Sequence, residues 1–112
     1  MRLHEFESVV DHVLESLPRW VVDQIDNLVV VVEDSPTPEQ GDVLGIYEGV
    51  ALDERSDYSG VLPDRIVIFR KPHLDFGFEG KELEEEIRRT VLHEIAHHLG
   101  IGDDRLDELG WG

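Results

Sequence analysis

At 112 residues, with 26 acidic against 10 basic side chains and a net charge of −16, the chain is expected to form one domain, residues 1–112, that repels phosphate backbones, so no nucleic-acid partner is expected. It has no cysteine, which excludes disulfides and thiolate metal sites and leaves His, Asp and Glu to hold any metal. Its longest apolar run, Leu28 to Val32, is far short of the ~20 residues that span a bilayer, so no membrane role is expected.

Phe6, Val9, Val10, Val13, Leu14 and Leu17 recur at helical spacing and predict an amphipathic helix over residues 3–16. Pro18 suits the first turn of a second, short helix through Val21, Val22 and Ile25, with Trp20 read as core. The β-branched run Leu28–Val32 reads as a buried strand, and Pro36 and Pro38 make the next stretch a loop. A second strand is expected over Val43–Leu52. Its Gly45 and Gly49 weaken it and favour a sheet edge.

Residues 53–63 read as a loop, with Tyr58 near its tip, that could cover a cleft. A third strand follows over Arg65–Arg70, apolar on both faces and therefore central, which gives the spatial order first, third, second. Residues 71–78, with Pro72 and Gly77, read as a connector to a long helix over Lys81–Leu99. Glu82, Glu84, Glu85 and Glu86 near the start of that helix complement the positive end of its dipole. A short helix is expected from Asp104 to Leu109.

The long helix contains His93-Glu94-Ile95-Ala96-His97. Four residues turn a helix by about 400°, so His93 and His97 point the same way and two imidazoles can converge on one ion. Glu94 lies about 60° from His97, which suits contact with a water on the metal better than ligation. Val91, Leu92, Ile95, Ala96 and Leu99 span an arc of about 140°, the expected core face, and His93 begins about 60° beyond it. Gly100 can take the left-handed conformation that ends a helix. Three residues on, Asp103 offers a third ligand, leaving a fourth position open as catalytic zinc requires. Asp103 and Asp104 are also candidate caps of the terminal helix, so one could cap while the other ligates.

The string His93, Glu94, His97, Gly100 and Asp103 resembles the zincin metallopeptidases. More narrowly, with Asp103-Asp104-Arg105-Leu106 and Glu108-Leu109-Gly110, it resembles a minimal zincin-like family of bacterial proteins. The resemblance implies an α+β fold in which a small, twisted three-stranded sheet packs beside N-terminal helices and the motif helix. It also implies one zinc ion, peptidase-type hydrolysis with Glu94 as general base, and Asp103 as a metal ligand. Larger relatives place a methionine turn beneath the metal, whereas the only methionine here is Met1, and with nine residues after Asp103 no lower subdomain is expected. These departures motivate an alternative, a zinc-binding module that holds a peptide without cleaving it. A structural zinc site closed by Asp104 or His98 is a third reading.

The other residues of interest receive plainer readings. His4, His12, His73 and His98 are expected at the surface, with a supporting role beside the metal open to His73, and Tyr47 is expected to pack half-buried. Trp111 is expected to fold back over the terminal helix. The N-terminus has no basic stretch followed by an apolar segment, so no signal peptide is expected, and the expected protein is a cytoplasmic monomer. The expected partner is a peptide or protein substrate, which would pair with the edge strand beside the metal.

Overall fold

The computed structural model describes residues 1–49 and 63–109, with Asp103 and Leu109 described by backbone alone. Expectations for residues 50–62, Tyr58 and a covering loop among them, and for Trp111 lie outside the described residues.

Helix α1, Leu3–Glu15, buries Phe6, Val10 and Val13, three residues that share one face of a helix. Pro18 stands at the N-cap of α2, Arg19–Gln24, one position earlier than its expected place in the first turn. Helix α2 turns only Val21 inward. Trp20, expected in the core, is 45% exposed because its neighbour on so short a helix takes the single inward direction.

Strands β1 (Leu28–Glu33), β2 (Gly45–Glu48) and β3 (Asp64–Phe69) form one sheet in the order β1-β3-β2, as expected. β3 is central because Ile66, Val67, Ile68 and Phe69 give it apolar side chains on both faces, all of them buried. It runs parallel to β1, with Leu28 opposite Asp64, and antiparallel to β2, with Gly45 opposite Ile68. β1 is only half-buried, with Val29 41% exposed, so the expectation of a buried strand is corrected. A β-branched run reads the same whether its strand is covered on two faces or, at an edge, on one.

The structure adds a helix where a connector was expected. Helix α3, Arg70–Asp75, leaves β3 without a break. Pro72 is its third residue, still in the first turn, where the missing N–H breaks no helical bond. Helix α4, Gly80–Leu99, buries Leu83, Ile87, Val91, Leu92 and Ile95 against Phe6 and Val10 of α1 and Ile66 and Ile68 of β3. Gly100 ends α4 with φ 77°. Its N–H bonds the His97 carbonyl at 3.1 Å and that of Ile101 bonds Ala96 at 2.9 Å, the paired bonds of a left-handed helix stop.

Helix α5, Asp103–Leu109, packs Leu106 into the same core. The Gly102 carbonyl accepts from the Leu106 N–H at 3.1 Å, which puts Gly102 at the cap position and makes Asp103 and Asp104 the first helical residues. Neither aspartate is the cap that the sequence suggested. No helix among the described residues is long and apolar enough to cross a membrane.

Candidate metal centre

The last two turns of α4 bring His93, Glu94 and His97 together, with one ligand-type atom from each lying within 4.8 Å of the others. The two imidazole centroids are 4.6 Å apart with planes at 71°, the one-turn juxtaposition expected from their spacing. His97 Nδ1 lies 3.1 Å from Glu94 Oε1, which leaves its Nε2 for a metal. His93 makes no hydrogen bond to the chain among the described residues. The Glu94 side chain is 8% accessible and that of His97 42% accessible, so the carboxylate sits at the floor of the site and an imidazole at its mouth.

Strand β2 comes close here for a reason that propensity alone does not show. A Cβ on Gly45 would lie 3.0 Å from the Thr90 methyl, 3.1 Å from the Val67 carbonyl and 3.4 Å from Glu94 Cγ. Gly45 was read as weakening a strand. It also lets that strand approach the motif helix beside the candidate base. A cavity of about 470 Å3 opens there, lined by Leu44, Gly45, Thr90, His93 and Glu94 among others.

Two buried histidines were missed. His98, expected at the surface, is 0% exposed. Its Nδ1–H donates to Asp64 Oδ2 at 2.8 Å, and its Nε2 accepts from the Asp26 backbone N–H at 3.2 Å. The Tyr47 hydroxyl donates to the same Asp64 oxygen, and the Asp64 N–H bonds the Asn27 carbonyl at 2.8 Å. Gly49 makes room for this carboxylate, since a Cβ there would stand 2.5 Å from it, and Gly49 also holds a φ of +155°. Tyr47 is half-buried as expected, but as part of this polar junction between β2, β3 and the end of α4. A helical wheel contained the signal for His98, which falls about 20° from Val91 and thus beside the core face.

His73, also expected at the surface, is buried on α3. The Phe69 carbonyl can only accept, so His73 Nδ1–H donates to it at 2.6 Å. His73 Nε2 lies 2.8 Å from the Thr90 hydroxyl, one turn before His93 and Glu94, and that hydroxyl also lies 3.0 Å from the Glu86 carbonyl, so the two acceptors share its single proton. Burial pushes the His73 pKa below its ordinary 6.5, while the Phe69 bond and the charge of Glu86 pull the other way. His73 thus bonds the turn of α4 that precedes His93 and Glu94 and touches neither of them through these bonds.

Asp103, the expected third ligand, begins α5 just after the left-handed turn, and its side chain lies outside the described residues.

A motif helix with two convergent histidines, laid against the edge strand of a small mixed sheet, defines a zincin-like α+β protein. The chain matches the family model for zincin-like metallopeptidases over residues 25–111, and it belongs to that family. Among solved structures it is similar to a conserved hypothetical protein from T. thermophilus, with 27% identity and a TM-score of 0.62 over 88% of this chain and 94% of the other. No curated protein matches the chain.

Proposed function

We propose that the protein is a zinc-dependent peptidase in which His93 and His97 hold the metal, Asp103 completes the protein ligands and Glu94 is the general base. The observation that carries the reading is the convergence of His93, Glu94 and His97 within 4.8 Å beside β2, the edge strand of the sheet among the described residues. The donor chemistry fits zinc, because among the described residues His93 makes no hydrogen bond and His97 keeps its Nε2 clear, and the chain has no thiolate to compete. When bound, zinc would polarise a peptide carbonyl and lower the pKa of water towards ~7.

The chain's own residues supply the remainder. Glu94, at the floor, accepts a proton from the attacking water on its carboxylate and returns it to the leaving amine. Strand β2 orients the substrate. The Phe69 N–H bonds the Leu44 carbonyl at 2.9 Å within the register that pairs Gly45 with Ile68. Leu44, Ile46 and Glu48 therefore turn their backbone groups towards β3, and Gly45 and Tyr47 turn theirs away from it, to an edge that no other described strand covers. An extended peptide pairs there, with its carbonyl beside Glu94. The acidic chain favours basic or neutral peptides.

Glu94→Gln tests the reading in a broad peptide library with zinc-loaded protein. The variant should keep zinc and lose about 10²–10⁴-fold in rate, since an amide cannot accept the proton. Equal cleavage by both proteins would remove Glu94 as the base. Peptide binding without cleavage by either would favour the recognition module instead.

A further inference from the structure

We propose that the chain carries a subsite for a bulky apolar side chain, aromatic above all, two or three residues to the C-terminal side of the bond to be cleaved. The inference rests on the peptidase reading, because the metal cleft delivers the substrate to it. The cavity beside His93 and Glu94 does not stand alone. Asp42, Val43, Leu44 and Phe76 line both it and a second cavity of about 570 Å3, so the two adjoin beyond the start of β2. That volume falls within the usual range of ligand pockets, roughly 300–1,000 Å3.

The lining sets the chemistry. Pro36, Pro38 and Pro72 give the second cavity rigid walls without backbone N–H groups, and Val43 and Leu44 add aliphatic surface. Phe76, at the junction, is 64% exposed and stacks on Phe78 with ring centroids 6.2 Å apart. A large exposed aromatic bordering a cleft is a ready anchor for another ring. Asp42 and Asp75 outnumber Lys71 around the cavity, so an acidic side chain is disfavoured.

Register sets the position. Asp42 and Val43 lie three and two residues before Gly45, no more than roughly 7–10 Å from it, on a stretch that bends at Asp42 and Leu44 before β2 begins. An extended peptide on β2 advances by about 3.4 Å per residue, so a carbonyl beside Glu94 brings a side chain two or three residues away within reach of the second cavity. Antiparallel addition, the slightly stronger pairing, makes that residue C-terminal to the reacting bond.

Peptide hydroxamates, anchored on the metal and running C-terminally, provide the test on the zinc-loaded full chain. Affinities are compared for Phe, Leu, Ala and Asp at the second and third residues, with acetohydroxamate as the anchor alone. Phe should bind about tenfold or more tightly than Ala, with Asp weakest, as burial of an aromatic side chain implies. In Phe76→Ala the Phe-to-Ala ratio should shrink to about threefold or less, as loss of one anchor implies. Equal affinities across the wild-type series, or a full Phe preference in Phe76→Ala, would overturn the subsite and leave the metal cleft standing. Failure of acetohydroxamate itself to bind would instead remove the peptidase reading, and the subsite with it.

Discussion

His93 and His97 on one side, and His73 and His98 on the other, are the same side chain in two environments. Three of the four share helix α4, and His97 and His98 are consecutive. The buried pair have both ring nitrogens engaged by the chain, His73 with Phe69 and Thr90, His98 with Asp64 and Asp26. Among the described residues the cleft pair retain free nitrogens, and the bond that His97 makes is to the candidate base. An imidazole sealed in the core must find protein partners, because an unmet polar group there costs on the order of 1–3 kcal/mol. An imidazole at a cleft mouth can keep a nitrogen open at little cost and is the one available to a metal. The supply of partners therefore separates structural histidines from candidate ligands more sharply than sequence spacing does.

The contrast breaks most visibly at the ligands. His93→Ala and His97→Ala should each lose stoichiometric zinc, by more than the 10–100-fold typical of changes to outer partners, while urea unfolding stays close to wild type. Metal analysis of purified variants checks this, and full occupancy in either would mean that the cleft pair is not the ligand pair. His98→Ala should show the opposite profile. Removing a fully buried ring leaves a cavity and strips one partner from Asp64, for a loss of about 3 kcal/mol, with zinc stoichiometry retained. A His98→Ala protein as stable as wild type would make the buried network dispensable.

The smallest effect concerns pH. Because burial holds the folded His73 pKa below 6.5, the unfolded chain binds the proton more readily. Stability from this group is fully present above 6.5 and is lost as pH falls from there through the folded value. His73→Gln, which does not titrate, should flatten the decline in thermal midpoint below pH 6.5 relative to wild type. An unchanged pH profile would show that the decline comes from other groups.

Much of the fold was legible in the sequence. The order β1-β3-β2 could be read because β3 is apolar on both faces and β2 carries glycines. The stop at Gly100 followed from the need for a left-handed residue after the motif. What could not be read depended on tertiary partners. Pro72 marks a loop as readily as a first helical turn, and only the turn of the chain out of β3 decides for α3. His98 was expected at the surface, yet its angle of about 20° from Val91 on the helical wheel was the informative one. The roles of Gly45 and Gly49 depend on Thr90, Glu94 and Asp64, side chains distant in sequence that a local reading cannot bring together.

The central claim is most directly tested by a crystal structure of the zinc-loaded protein with anomalous scattering at the zinc edge. The account predicts one ion on ring nitrogens of His93 and His97 at ~2.0–2.1 Å, with an Asp103 carboxylate as third protein ligand and Glu94 outside the ligand set. It also predicts a fourth position open towards β2. A zinc ion elsewhere, direct ligation by Glu94, or a fourth position closed by a protein side chain would contradict it.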